Sequence, residues 1–163
     1  MKRVLIVRHA KSVSYDYDDD FNRDLTERGI EDADKISNQL KKLGIAPDLV
    51  IASPAMRTMH TARIFCENLG YDHETIRQES SFYGGLTTQR FVDMLQQLPE
   101  DIQTVFIFGH NPTVHQLVYN LVKHFTSDMP TCSTVALSFA VEKWTEIEAR
   151  KGNVAFQLTP KSM

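Results

Sequence analysis

Two histidines and two arginines lie in short motifs that share one setting in the chain. Arg8 and His9, Arg57, and His110 each follow shortly after an unbroken run of apolar residues. Such runs are typical of strands that are buried on both faces of a parallel sheet. Because the carboxyl ends of parallel strands lie at one edge, where open α/β sheets bind ligands, we expect these four side chains to meet in one pocket.

The four side chains are a set suited to a phosphoryl group. Arginine guanidinium groups bind phosphate oxygens in pairs, and nearby helix N-termini add partial positive charge. One imidazole can attack phosphorus and carry the phosphoryl group, and neighbouring cations keep such a ring neutral. The other can donate a hydrogen bond to the equatorial oxygens as charge develops there. Either histidine alone is more often an ordinary polar residue at a strand end; beside Arg8 and Arg57, the pair favours the catalytic interpretation.

Composition narrows the class of protein. The chain has 163 residues, a formal net charge of −3 and 42% hydrophobic residues, which predicts one domain over residues 1–163. The net negative charge gives no electrostatic signature for nucleic acid or an anionic membrane, so we expect neither partner. Cys66 and Cys132 have no metal-binding spacing, and we expect no metal and no cofactor.

The N-terminal apolar run is too short for a signal peptide, so we expect a cytoplasmic protein. The oligomeric state is left open.

The apolar periodicity predicts alternating strands and helices. The predicted fold is therefore α/β, a three-layer sandwich with a mostly parallel central sheet flanked by helices. Strands are predicted at 4–7, 47–52, 104–108, 134–141 and 154–158, with a short edge strand in 74–79 and the last two strands as an antiparallel pair. Helices are predicted at 26–43, 54–69, 87–98 and 112–125, with a turn at 82–85 and a helical turn in 143–148. Predicted N-caps are Thr26, Ser53 and Asn111.

Three motifs together resemble the histidine phosphatase superfamily, whose fold is phosphoglycerate-mutase-like. They are Val-Arg-His-Ala at 7–10, Ser-Pro-x-x-Arg-Thr at 53–58 and Gly-His-Asn at 109–111. The short length, Arg-Asp-Leu-Thr at 23–26 and Thr-Pro-Lys at 159–161 most resemble its small branch, the SixA-like phosphohistidine phosphatases. The first apolar run leads into neither a GxGxxG nor a Walker motif, which disfavours nucleotide binding of those types.

The resemblance implies a role for each matched position. His9 would be the phosphorylated nucleophile, Arg8 and Arg57 would bind the phosphoryl oxygens, and His110 would be the second histidine of the pocket. Arg23 would either contact the substrate or pair with neighbouring aspartates at the surface. The implied function is hydrolysis of a phosphoryl group through a phosphohistidine intermediate on His9, with protein phosphohistidine as the expected substrate.

The chain departs from the family pattern in two places. Ala10 stands where the superfamily has glycine, and alanine lacks glycine's tolerance of positive φ, so we expect a modest backbone difference. Larger members place a proton-donating glutamate three residues before Tyr-Gly-Gly-Leu, a position that Ser80 holds here. Glu79 is offset by one residue, which in an extended segment turns a side chain to the opposite face. Glu79 and the acidic cluster at 18–20 are thus the candidate proton donors.

The missing acid bears on the substrate. An alkyl phosphate has a poor leaving group, and general acid catalysis contributes roughly 10²–10⁴-fold to such reactions. The labile P–N bond of phosphohistidine needs less help, so a pocket without a placed acid favours phosphohistidine. The short chain also leaves little sequence for a cap, which favours an open site that admits a protein side chain.

Three alternatives stay open at this level. The chain could encode a metal-independent phosphatase of small phosphorylated metabolites, which a substrate panel separates. It could be a non-catalytic phosphate-binding module, which predicts affinity without a phosphoenzyme. It could also be a structural domain with incidental histidines. The presence of both His9 and His110 favours an enzyme, because a simple binder needs no nucleophile.

Overall fold

A six-stranded mixed sheet forms the centre of the molecule. The computed structural model describes residues 1–14 and 19–163. Its strands are β1 (Lys2–Arg8), β2 (Leu49–Ala52), β3 (Arg77–Gln78), β4 (Thr104–Gly109), β5 (Thr134–Phe139) and β6 (Asn153–Leu158). The spatial order is β3-β2-β4-β1-β5-β6. The first four strands in this order pair in parallel, whereas β5 and β6 are antiparallel to their neighbours, as predicted for the last two strands.

Helices cover both faces of the sheet. They are α1 (Glu27–Lys42), α2 (Met56–Leu69), α3 (Ser81–Gly84), α4 (Thr88–Gln96) and α5 (Thr113–Leu121). Short 3-10 helices lie at Asp20–Asn22, His73–Thr75, Trp144–Glu146 and Pro160–Ser162. Alternate side chains of each strand point to opposite faces, so Leu5 and Val7 pack beneath α1 and α2 while Val4 and Ile6 join the core with α4 and α5. This is the predicted three-layer α/β sandwich.

Several local predictions need correction. The helical spacing of apolar residues in the sequence predicts that Ile30, Leu43 and Met56 face the core, yet they are 40%, 49% and 41% exposed. All three lie at a helix end, in the first turn or at the cap. The segment 82–85 was expected to be a turn, but α3 forms a single turn of helix over most of it.

The segment after β1 is held against the start of α1. Thr26 caps α1 as predicted, because its side chain accepts from the N–H of Gly29 at 3.0 Å. A Cβ on Gly29 would lie 2.1 Å from the Lys11 carbonyl oxygen, so only glycine permits this approach. Ala10 is buried, donates its N–H to Thr61 Oγ1 at 3.0 Å, and does not adopt a positive φ. Alanine is therefore accommodated at the position where the family pattern has glycine.

Within the described part of the chain, no helix has both the length and the apolar character needed to cross a bilayer.

Candidate active site

The structure brings His9 and His110 together at the carboxyl edge of the sheet. Their ring centroids are 5.3 Å apart, with an angle of 56° between the ring planes. The reason is the register of β1 and β4, which are parallel neighbours with Arg8 beside Gly109. The N–H of His9 donates to the Gly109 carbonyl at 3.0 Å, which extends the ladder by one residue. The histidines that end these two strands therefore emerge side by side.

The protonation state of His9 follows from one contact. Nδ1 of His9 lies 2.7 Å from the backbone oxygen of Ala10. A carbonyl oxygen only accepts, so Nδ1 carries the proton and Nε2 keeps its lone pair. Burial lowers the pKa of His9 to about 4, with the charges of Arg57 and Arg8 acting in the same direction and the Ala10 hydrogen bond opposing them. At neutral pH this ring is uncharged, with a nucleophilic Nε2.

His110 is held from one side by two hydroxyl groups. Its Nε2 lies 2.8 Å from Ser53 Oγ and 3.2 Å from Thr58 Oγ1. Burial lowers the pKa of His110 to about 3, and His9 and Arg57 contribute in the same direction. Its Nδ1 is buried and has no partner among the described residues. When a hydroxyl donates to Nε2, the proton of the neutral ring lies on Nδ1, which is then free to donate to a bound anion.

Ser53 therefore serves the site and does not cap α2. That helix begins at Met56, with Ala55 at the N-cap and no side-chain capping bond. The Ser53 side chain is completely buried, and its hydroxyl faces the imidazole of His110. The sequence pattern of serine followed by proline is typical of an N-cap, and nothing local distinguished that role from contact with a histidine on another strand.

Arg8 and Asn111 share one backbone acceptor. Arg8 Nη1 and Asn111 Nδ2 donate to the Met129 carbonyl at 3.2 and 2.9 Å. Asn111 thus holds the loop before β5 and does not cap α5, whose N-cap is Pro112. Arg8 Nε and Asn111 Oδ1 are buried without partners among the described residues. The guanidinium of Arg8 is held through Nη1, and its Nε is not used by any described residue.

Arg57 and Arg23 converge on a single acid, Asp20. Arg57 donates to the Asp20 carbonyl at 2.7 Å and to its Oδ2 at 3.3 Å. Arg23 donates to Oδ1 at 3.2 Å from Nε and 2.8 Å from Nη2. The Tyr83 hydroxyl donates to Oδ2 at 2.7 Å. This hydrogen bond, followed by Arg23 and Arg57, lowers the pKa of Asp20 to about 2, so the carboxyl is ionised at neutral pH. We call these four residues the acid–arginine cluster.

Tyr83 is a site residue that the sequence reasoning did not assign. Its ring packs edge-to-face on His110 at 5.6 Å and on Phe21 at 5.2 Å. The residue belongs to the Tyr-Gly-Gly-Leu segment, which served in the sequence only to locate the missing glutamate. The motif therefore marked this segment as relevant to the site. It did not indicate that α3 would place the Tyr83 ring against His110.

The candidate proton donors lie in different settings. The Glu79 carboxylate accepts from Ser81 Oγ at 3.1 Å and lies 3.6 Å from Arg77 Nη2. Among the described residues it has no contact with either histidine. In the cluster at 18–20, Asp18 lies outside the described residues, and Asp19 accepts from the backbone of Asn22. Asp20 contacts Arg57 and Arg23, and it does so as an anion.

A groove of about 650 Å³ opens beside Arg8. Its charged lining consists of four basic and two acidic side chains: Arg8, Lys11, Arg28, Lys161, Asp32 and Asp128. Asn111 and the segment 128–131 complete its floor and wall. Its positive excess contrasts with the protein's formal net charge of −3. The groove adjoins the carboxyl edge of the sheet, and no residue of the acid–arginine cluster lines it.

The chain belongs to the histidine phosphatase superfamily (branch 1), whose family model matches residues 4–103. The matched range runs from within β1 to the residue before β4, and it includes Arg8, His9 and Arg57 but not His110. Fold and paired histidines agree with this assignment.

Particular relatives give a finer comparison. An uncharacterized chloroplastic protein of Arabidopsis thaliana is 26% identical over 96% of this chain and 75% of its own length. The mitochondrial serine/threonine-protein phosphatase Pgam5 of Drosophila ananassae is 35% identical, over 46% of this chain and 26% of its own length. The protein histidine phosphatase SixA, solved with tungstate, superposes with a TM-score of 0.84 at 22% identity, covering 98% of both chains. A mycobacterial glucosyl-3-phosphoglycerate phosphatase gives 0.67 at 15% identity, covering 94% of this chain and 97% of its own.

Proposed function

We propose that the protein is a phosphatase that works through a phosphohistidine on Nε2 of His9. In the first step Nε2 bonds to phosphorus while the bond from phosphorus to the leaving group breaks, and the leaving group takes up a proton from solvent. In the second step a water oxygen bonds to phosphorus and releases a proton to solvent, the P–Nε2 bond breaks, and inorganic phosphate leaves. The observation that carries this proposal is the neutral His9 ring, protonated on Nδ1 by its contact with Ala10.

The surrounding groups match the charge that develops in such a transfer. Arg57 and Arg8 provide guanidinium donors for the phosphoryl oxygens, and Arg23 lies close enough to Arg57 to share an acceptor with it. The Nδ1 group of His110 can donate to an equatorial oxygen as negative charge builds. These cations take the role that a metal ion has in other phosphatases, so activity is expected to survive EDTA.

We further propose protein phosphohistidine as the substrate. No carboxylic acid contacts His9 or His110 among the described residues, which suits a P–N bond better than an alkyl ester. The groove beside Arg8 offers room for segments that flank a phosphorylated side chain. The superposition on SixA, with its higher TM-score than the glucosyl-3-phosphoglycerate phosphatase, supports the same choice.

A phosphatase of small metabolites is the second candidate. A cavity of about 650 Å³ lies within the range that small-molecule sites occupy. The superposition on the glucosyl-3-phosphoglycerate phosphatase shows that this fold also serves a small phosphorylated sugar acid. The two candidate functions share the proposed nucleophile and differ in the leaving group of the substrate. A comparison of substrates therefore distinguishes them.

The test compares two substrates with EDTA present throughout. Phosphate release is measured from a phosphohistidine-bearing protein and from p-nitrophenyl phosphate, for the wild type and for His9→Ala, with His73→Ala as control because His73 lies far along the chain in an exposed 3-10 helix. Fast, His9-dependent release from phosphohistidine with slow ester hydrolysis is expected. The opposite preference would favour the metabolite phosphatase, and phosphate binding without turnover would favour a binding module. A phosphoenzyme that is stable in alkali and labile in acid would identify the histidine intermediate.

A further inference from the structure

The acid–arginine cluster contains an anion where the proposed reaction requires a phosphoryl group. We propose that Asp20 is a specificity-determining residue whose carboxylate competes with the phosphoryl group for Arg57 and Arg23. This inference rests on the proposed function only in taking the phosphoryl group as the ligand of Arg57. It assigns the acidic cluster of the sequence a role as internal competitor.

The contacts show that Asp20 uses the donors a phosphate would use. Two guanidinium groups and the Tyr83 hydroxyl donate to its two carboxylate oxygens at 2.7 to 3.3 Å. Its backbone carbonyl takes a further donor of Arg57 at 2.7 Å. A phosphoryl group cannot accept from these same N–H groups until Asp20 moves away from them.

Burial indicates which member of the cluster moves. The Arg57 side chain is 6% exposed and projects from α2, whereas the Asp20 side chain is 45% exposed. Asp20 begins the 3-10 helix Asp20–Asn22, which has no buried residue. A segment with so little apolar burial separates locally at low free-energy cost. The arginine is thus the fixed part of the site, and the acid is the displaceable part.

Three polar atoms of the candidate site residues are left without a partner in the described part of the chain. Arg8 Nε, Arg57 Nε and His110 Nδ1 are buried without partners among the described residues, and Asp20 uses none of them. A carboxylate has two oxygens in one plane, whereas a phosphoryl group presents three that diverge. A phosphoryl group that displaces Asp20 therefore brings a third acceptor oxygen for which the carboxylate has no counterpart.

The competition selects among ligands. Inorganic phosphate and small phosphate esters have only the phosphoryl contacts with which to displace Asp20. A phosphoprotein adds contacts along the groove beside Arg8, which does not involve Asp20. Asp20 thereby weakens retention of the product phosphate and favours substrates that bind outside the phosphoryl pocket. Tyr83 supports the competitor, since its hydroxyl holds the carboxylate against the ring that covers His110.

The test is titration calorimetry with inorganic phosphate as the probe. Asp20→Asn should bind phosphate about tenfold more tightly than the wild type, because it loses the competing charge and keeps a similar shape. Asp19→Asn is the matched control: it removes the same charge one residue away, and asparagine still caps the 3-10 helix. KM for p-nitrophenyl phosphate should fall in Asp20→Asn, and inhibition by phosphate should become stronger.

Other outcomes have a defined meaning. Equal or weaker phosphate binding by Asp20→Asn would overturn the inference and make the acid an organiser of the arginines. Asp20→Ala is measured alongside it, with thermal unfolding of each variant, so that a loss from misfolding is recognised. Because phosphate binding requires no turnover, the inference can hold even if His9 proves not to be the nucleophile. If the wild type and Asp20→Asn both fail to bind phosphate, the inference and the proposed function both fail.

Discussion

The acid–arginine cluster and the groove beside Arg8 contrast in how their charges are used. In the acid–arginine cluster the cations are satisfied internally, by Asp20 and the Tyr83 hydroxyl that holds it. In the groove beside Arg8, Lys11 and Lys161 line an open space of about 650 Å³. A site closed by its own anion discriminates by charge and strength of binding, whereas an open basic groove accommodates differing shapes. The comparison suggests that the cluster recognises the phosphoryl group and the groove recognises what carries it.

The largest expected effect is at His9, the proposed nucleophile. His9→Ala should lower turnover by about 10³-fold or more, because it removes the proposed nucleophile. Folding should be largely retained, since His9 contributes one hydrogen-bonded ring at the end of β1. Phosphate release under single-turnover conditions measures the loss. Turnover at the wild-type rate would remove His9 from the mechanism.

Substitution of Arg57 tests the role of the acid–arginine cluster in phosphate binding. Arg57→Ala should weaken phosphate binding about a hundredfold, the effect expected for removing one partner of a buried charged contact. In the Asp20→Asn background the same change should cost more, because the wild-type value already includes release of Asp20. A double-mutant cycle of phosphate dissociation constants measures this coupling. Strictly additive effects would argue that Asp20 and the phosphoryl group do not share Arg57.

Substitution of Lys161 tests whether the groove beside Arg8 binds the substrate protein. Lys161→Glu should raise KM for a phosphohistidine protein by about threefold to tenfold and leave KM for p-nitrophenyl phosphate unchanged, because only the larger substrate reaches the groove. The difference should shrink in high salt, as expected for exposed charges. Lys41→Glu, at the far end of α1, is the charge-matched control. An equal rise for both substrates would place Lys161 in the phosphoryl pocket or in the fold.

The acidic side of the pH profile tests the protonation state of His9. Because burial lowers the pKa of His9 to about 4, kcat/KM for p-nitrophenyl phosphate should stay level from pH 8 to about 5 and fall as His9 protonates near pH 4. The folded state binds fewer protons on His9 than the unfolded chain does, so the free energy of unfolding should also decline as pH drops from 6.5 towards 4. Asp20, with a pKa of about 2, stays ionised throughout. A midpoint near 6.5 would contradict the buried, neutral nucleophile.

The smallest expected effect concerns Tyr83. Tyr83→Phe removes the hydrogen bond to Asp20 and keeps the ring on His110, so phosphate should bind about twofold to fivefold more tightly. Phosphate titration at fixed salt measures it. Weaker binding would mean that the hydroxyl helps to hold the phosphate itself.

Much of the site could be predicted from local patterns. Unbroken apolar runs identified β1, β2 and β4, and the parallel arrangement that they imply brings Arg8, His9 and His110 to one edge. The motif at 53–58 brought Arg57 to the same place through the β2–α2 connection. Such predictions succeed because a strand's burial and its terminal polar residues are encoded in adjacent positions.

Contacts between distant segments could not be obtained in this way. Ser53 and Asn111 had cap-like sequences, yet their side chains face His110 and the Met129 carbonyl. Of the neighbouring aspartates that the structure describes, Arg57 contacts Asp20, and the Tyr83 hydroxyl donates to the same carboxylate. Both contacts depend on how separate loops approach one another.

The sequence alone determined the chemistry available to this protein: the order of strands and helices, the paired histidines and the arginines beside them. Tertiary structure decided how those groups are occupied. It placed the proton of His9 on Nδ1 and buried both imidazoles so that they stay neutral. It also paired Asp20 with Arg23 and Arg57. The physical reason is that residue type and period are local properties, whereas burial, tautomer and charge pairing arise only where segments distant in sequence share one desolvated space.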